Sequence, residues 1–350
     1  ANVASKKSKS IINANDDVNM SQSSNDVIPT AICISALIDM HRILLPNMDG
    51  LIKAIDAKMK KVKGNTKTGR THLMDAMPID FAQELSGWKA QLESSKKTLI
   101  AATSRMNELP QGGTAIGTGI NTHKDFSKNF CEEVNKISKL KTKPAKNFFQ
   151  GLSSVDNAAE LSSALKNLST ILMKISNDLR WMNSGPLTGL GEIELEALQP
   201  GSSIMPGKVN PVVPEAVAMA CADVIGNDVS ITVASQSGNF QLNVMLPLVA
   251  YNLLKSINLL GNAMPLLSNK AIKTFKINAK NINESLSKNP ILVTALNRKI
   301  GYGKAALIAK KAYKENKAII DVASEETGIS KTELKKLLDP SKLTKGGLSG

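Results

Sequence analysis

The stretch NAAELSSALKNLSTILMKISNDLRWM, residues 157–182, decides the fold. Leu161, Leu165, Leu168, Leu172, Ile175, Leu179 and Met182 alternate steps of four and three, the spacing that returns helical side chains to one face. An unbroken frame of this length predicts a bundle helix. Residues 79–109 hold a second heptad frame through Phe81, Leu85, Trp88, Leu92, Leu99 and Met106. They predict a helix of about 30 residues, roughly 45 Å long at 1.5 Å per residue, ended by Pro110. Two further segments, about 212–230 and about 240–265, are apolar on most faces and predict helices in the middle of an assembly. Helices this apolar leave more surface than one chain covers, so the bundle is expected to continue across subunit boundaries.

On the N-terminal side, the first 25 residues are rich in Ser, Asn, Asp and Lys without a sustained period and read as loop. Asn25 and Asp26 are candidate N-caps, Pro29 suits a first turn, and AICISALIDMHRILL (31–45) reads as a buried helix. Beyond Pro46, Ile52, Ile55, Met59 and Val62 step as one helical face. From about residue 286 the pattern shortens and becomes Lys-rich, as in KAALIAKKAYKENKAIIDVA (304–323) and SKTELKKLLDP (330–340). The expected fold class is mainly all-α: a long central helical bundle over 22–285 and a small C-terminal helical domain over 286–350, with 1–21 a remnant of an N-terminal domain.

Composition narrows the function. At 350 residues, 42% hydrophobic and 21% charged, the chain is globular and large enough for more than one core. A net charge of +14 suggests polyanions, but only five of the 44 basic residues are Arg (Arg42, Arg70, Arg105, Arg180, Arg298) and the lysines are scattered. Scattered charge is a solvated surface, so no nucleic-acid partner is expected. ETGISKTELKKLL (326–338) resembles half a helix-turn-helix, a pattern that short helix pairs share. QGGTAIGTG (111–119) lacks the P-loop lysine. Cys33, Cys131 and Cys221 are odd in number and far apart, and His41, His72 and His123 show no ligand spacing, so neither disulfide nor metal is expected. The run VMLPLVAYNLL (244–254) is too short for a bilayer, and ANVASKKSKS at the start has no signal core. The expectation is a cytoplasmic protein with no membrane partner.

The segment that suggests chemistry is GSSIMPGKVNPVVPEA, 201–216. Gly201, Pro206, Gly207 and Pro211 prevent a regular helix around Ser202, Ser203, Lys208 and Asn210. Backbone amides, one cation and one side-chain amide suit a carboxylate or an oxyanion; an ordinary polar surface loop fits the residues equally well.

GSSIMPGKVNP resembles the signature loop of the fumarase/aspartase superfamily. NDDVNMSQSSNDVIPTA (15–31) and GRTHLMDAMPIDFAQELSG (69–87) resemble the two other regions that form that family's active site, in the same order. Similarity extends through LPQGGTAIGTGINT, ISNDLRWMNSGPLTGLGEIELEALQPG, GNFQLNVMLP and LVTALNRKIGYGKAA, nearly the whole chain. His72 after GRT and Gly207 in the loop resemble class II fumarases, where aspartases carry Gln and Ala. Gln241 and the run NPVVPE look more aspartase-like.

The resemblance implies reversible hydration of fumarate to L-malate, without cofactor or metal. An aspartate ammonia-lyase or another fumarate-forming lyase remains the alternative, and a non-catalytic structural protein on the same fold a third. It implies that Ser202 abstracts the proton beside a carboxylate, that Lys208 and Asn210 stabilise the resulting dianion, and that His72, oriented by Glu215, exchanges a proton at the other carbon. Thr71, Ser203, Ser23, Ser24 and Asn25 would contact a small dicarboxylate substrate, with Ser23–Asn25 at a helix N-terminus that favours an anion. It also implies a homotetramer whose sites are shared between subunits. A possible second dicarboxylate site falls at Asn13, Asn15 and Asp16, where Asn13 replaces the family's histidine; Leu187 stands where many members have Arg. The family's SGT-type substrate loop would precede residue 1, so the sequence is expected to be N-terminally truncated.

Overall fold

The computed structural model describes residues 1–347; the last three residues of the expected C-terminal domain lie outside them. The helices in chain order are α1 (Asn2–Ser8), α2 (Ser24–Asp39), α3 (Leu45–Val62), α4 (Phe81–Arg105), α5 (Phe126–Ser138), α6 (Phe148–Ser153), α7 (Asp156–Met182), α8 (Val212–Ser235) and α9 (Leu246–Leu267). Shorter ones follow: α10 (Ala279–Lys288), α11 (Asn297–Ile300), α12 (Tyr302–Glu315), α13 (Ile319–Thr327), α14 (Lys331–Leu337) and α15 (Pro340–Leu343). The longest sheet is one antiparallel hairpin, β1 (Thr66–Thr71) with β2 (Met74–Asp80).

The α7 frame forms as its spacing requires: all seven frame residues are at most 4% exposed. Truncating one such buried Leu to Ala costs about 2–5 kcal/mol. α4 is shorter than its frame suggested. Asp80 caps it by accepting from the Ala82 amide at 2.7 Å, and after Arg105 the chain extends so that Glu108–Leu109 pairs in parallel with Lys143–Pro144. Backbone pairing, and not Pro110, ends the helix. α8 runs five residues past its expected end, and α9 begins later than expected because Asn243 Nδ2 donates to Ala234 O at 2.9 Å, holding a turn between them.

Near the N-terminus the loop expectation is corrected twice. Residues 2–8 are helical, and Ala14–Val18 form a π-helical turn. The cap of α2 is Ser23, not Asn25 or Asp26: Ser23 Oγ accepts from Asn25 N, and Asp26 at N3 accepts from Ser23 N at 2.9 Å, a capping box. A second π turn, Met40–Leu44, carries α2 on into α3 as one unbroken helix to Val62, and Pro46 lies just after that turn.

Two compact units divide the chain: residues 1–51, 92–174 and 216–266, and residues 52–91, 175–215 and 267–350. In the first, Leu37, Met40, Leu44, Leu99, Leu165, Val224, Ile231, Leu253 and Ile257 are buried. Polar side chains tie its helices together: Ser162 Oγ and Lys166 Nζ reach Asp228 at 2.8 and 2.5 Å, Asn227 Nδ2 reaches Ser256 Oγ at 3.2 Å, and Asn258 Nδ2 reaches Asp39 at 2.9 Å. In the second, Leu292, Leu296, Ile308, Ile319, Val322, Leu334 and Leu338 form a core for the short C-terminal helices. Residues 24–62 and 212–235 are long and apolar enough to cross a bilayer, a test that the apolar run at 244–254 fails and that the core helices of a packed bundle also pass. Asp26 and Asp228 within them are each 3% exposed or less and satisfied by neighbouring residues.

Candidate active site

The loop at 201–210 closes on its own backbone. Gly201 N donates to Lys208 O at 2.8 Å and Asn210 Nδ2 donates to Gly201 O at 3.0 Å. A Cβ on Gly201 would lie 2.8 Å from both Asn210 N and Lys208 O, so only glycine allows this closure. Gly207, at φ +80°, makes the turn that returns Lys208 to the loop base. Inside the ring, Ser202 Oγ accepts from the amides of Ile204 at 3.2 Å and Met205 at 3.0 Å. Two N–H dipoles therefore face the hydroxyl to which the resemblance assigns proton abstraction. Ser203 and Lys208 are exposed, while Ser202 and Asn210 are half-buried. Glu215, half-buried, lies in the first turn of α8 just beyond the loop.

Thr71 and His72 occupy the tip of the β1–β2 hairpin. Thr71 pairs with Met74, and both intervening residues are left-handed, His72 at φ 54° and Leu73 at φ 61°. That is the two-residue turn whose twist matches a hairpin, usually filled by Asn-Gly. Non-glycine residues there carry backbone strain, so the hairpin must be held firmly from below. It is held by buried charge. Lys67, 5% exposed, pairs with Glu192 and Glu84 at 2.7 Å each, and Arg70 Nη1 also pairs with Glu192, itself 4% exposed. Asn289 Nδ2 adds a bond to Ala76 O at 2.8 Å, and a bulge between Thr68 and Arg70 re-aims the strand. The tip is exposed, as are Leu73 and Met74 beside it.

Ser23, Ser24 and Asn25 open α2 in the other unit. Their backbone is fixed by Asp26, fully buried, whose Oδ2 accepts from Gly112 N at 2.9 Å and Thr114 N at 3.0 Å. Asn25 Nδ2 donates to Ala115 O at 2.8 Å. The Gly-rich 111–119 stretch thus wraps a carboxylate belonging to its own chain. Asn13 Oδ1 caps the π turn by accepting from Asn15 N at 2.9 Å and Asp16 N at 3.3 Å; all three side chains are exposed.

Within the chain, Ser202, Ser203, Lys208 and Asn210 come together on one loop, with Glu215 just after it. Among the described residues no hydrogen bond or ion pair joins the hairpin tip to that loop or to Glu215. Cavities of about 300, 530 and 700 Å³ are lined by neither Ser202 nor His72. Sequence reasoning missed the supports: Lys67, Glu84, Glu192 and Asp26. Only Asp26 had a visible signal, the three-residue spacing from Ser23; the partners of Lys67 are distant in sequence.

A family model described as "Lyase" matches residues 2–226, and one described as "Fumarase C C-terminus" matches 292–345. A class II fumarate hydratase of Pseudomonas aeruginosa is 56% identical over 99% of this chain and 76% of its own length. That of Bacillus subtilis is 43% identical over 97% and 74%. A recombinant class II fumarase from Schistosoma mansoni superposes with a TM-score of 0.92 at 34% identity, covering 95% of this chain and 73% of that one. The chain belongs to the class II fumarate hydratase family.

Proposed function

We propose that the protein catalyses the reversible hydration of fumarate to L-malate, on sites that become complete only when copies of the chain assemble. The observation that carries this reading is the pair of amides on Ser202 Oγ. Removing a proton beside a carboxylate requires a base, and a serine hydroxyl can serve only if its alkoxide is stabilised before the reaction. Two preorganised N–H donors favour that form, and Lys208 on the same loop adds positive charge. Once the proton leaves, the adjacent carboxylate gains negative charge, which Lys208 and Asn210 offset. Closing the exposed loop over substrate would exclude water and strengthen these interactions.

His72 in this reading exchanges a proton with the departing hydroxyl or the attacking water, with Glu215 orienting its ring. The strained, exposed hairpin tip presents it for a site completed by another chain. Thr71, Ser203, Ser23, Ser24 and Asn25 then hold the substrate's carboxylates. Exposed apolar residues support assembly as a homotetramer: Met219, Val229 and Val233 on α8 and Leu248 and Tyr251 on α9 are each at least 42% exposed, as side chains that pack against another copy would be. A cytoplasmic location without membrane, and the division at about residues 22 and 286, belong to the same reading. The proposal is confined to the site around Ser202 and His72.

The test is to incubate the full-length protein with L-malate and, separately, L-aspartate while following fumarate absorbance. Fumarate should appear from malate only; fumarate from aspartate alone would overturn the reading. His72→Asn should lower kcat by about 10²–10⁴-fold, the usual worth of an acid–base group.

A further inference from the structure

A cavity of about 530 Å³ opens beside the π turn Met40–Leu44. Four basic side chains from two segments line it: His41 and Arg42 on the turn, Lys139 and Lys141 after α5. No lining residue is acidic. Part of its wall is apolar, including Ile38 and Ile100. The volume is that of a site for a small organic molecule.

The charges here are uncompensated, as those of Lys97 and Lys124 are, while several other cations of this unit are paired. Arg105 pairs with Glu160 and Asp156, Lys96 with Asp49, and Lys136 with Glu133. Among the described residues Arg42, Lys139 and Lys141 have no ion-pair partner. Cations converging on one cavity repel one another and concentrate a field that attracts anions.

The backbone supports the convergence. Lys139 sits at φ 64° at the C-cap of α5, a left-handed position that ends the helix before Leu140 and Lys141. Ile38, His41, Arg42 and Leu45 line the cavity at the three- and four-residue spacing of one helical face, so the two basic side chains flank apolar ones.

We propose that this cavity is a second ligand site, sharing no residue with the segments assigned to catalysis, that takes an organic phosphate with an apolar body, such as a nucleoside diphosphate. Arg42 grips phosphate with its planar fork, Lys139 and Lys141 neutralise the remaining charge, and the apolar wall takes the base. A bare dicarboxylate has no body to cover Ile38 and Ile100.

Titration calorimetry on the assembled full-length protein, with ADP and inorganic pyrophosphate as probes, tests this. ADP should bind, and pyrophosphate at least tenfold more weakly. The double variant Arg42→Gln/Lys141→Gln, at exposed positions, should weaken ADP at least tenfold with an unchanged unfolding midpoint. His72→Asn and the pair Lys304→Gln/Lys310→Gln, none of which lines the cavity, should bind ADP as the wild type does. No ADP binding at millimolar concentration, or full affinity in the Arg42/Lys141 variant, would overturn the proposal. Loss of binding in the His72 variant would place ADP elsewhere and overturn it too, while equal affinity for pyrophosphate would refute the role of the apolar wall.

Discussion

Replacing Glu192 by Ala should destabilise the protein and disable the hairpin that presents His72. Glu192 is 4% exposed and binds two cations at once, Lys67 at 2.7 Å and Arg70. With Glu84, which Lys67 also meets at 2.7 Å, the cluster holds two positive and two negative groups and is neutral. Deleting one carboxylate leaves a net positive charge around Lys67, which is 5% exposed and has little access to water. Removing one partner of a buried pair costs about 3–5 kcal/mol, whereas replacing a pair by apolar residues of similar volume is often neutral. At about 2 °C per kcal/mol for a large domain, the thermal midpoint should fall by at least about 6 °C. Scanning calorimetry reads this directly. Lys67→Met/Glu192→Leu removes one charge of each sign and should recover part of the loss. A Glu192→Ala midpoint within about 2 °C of wild type would refute the idea that buried charge holds the hairpin.

Three other outcomes follow from the geometry. Gly201→Ala puts a Cβ 2.8 Å from Asn210 N and Lys208 O; it should lower kcat at least about 100-fold with an unchanged unfolding midpoint, because a shift near 1 Å in a catalytic group is enough. Asp26→Ala strips the acceptor from the amides of Ser23, Gly112 and Thr114, and urea titration should show a loss of about 3 kcal/mol or more, since each unsatisfied buried donor costs about 1–3 kcal/mol. Burial pushes the Cys33 and Cys221 thiols each up to about 12 and raises Cys131 as well. At pH 8 all three are then neutral thiols, so iodoacetamide should label them only after unfolding; rapid labelling of the native protein would contradict their placement.

The long helices were legible because their apolar residues keep one phase for many turns, as in α7, where Leu161 through Met182 never leave the frame. Helix ends were less so. Met106 keeps the α4 frame although the helix has stopped, because that stop is set by pairing with Lys143–Pro144, far along the chain. The two π turns and the left-handed turn at His72 and Leu73 are invisible to periodicity, and the hairpin lacks the glycine that would have marked it. At the candidate site, the Gly- and Pro-rich loop around Ser202 identified itself by composition, and the amides on the Ser202 hydroxyl follow from its tight closure. What the sequence could not show is the support under each segment, since Lys67, Glu84 and Glu192 are joined only by folding.

The most direct measurement of a site shared between chains is complementation. His72→Asn and Ser202→Ala variants, each prepared as full-length protein, should be nearly inactive alone. If the two residues of one site come from different chains, unfolding an equal mixture and refolding it together should restore about a quarter of the wild-type rate of fumarate formation from malate, because independent draws leave that fraction of sites with both residues intact. A mixture that assembles into hybrids yet stays as inactive as its components would contradict the account.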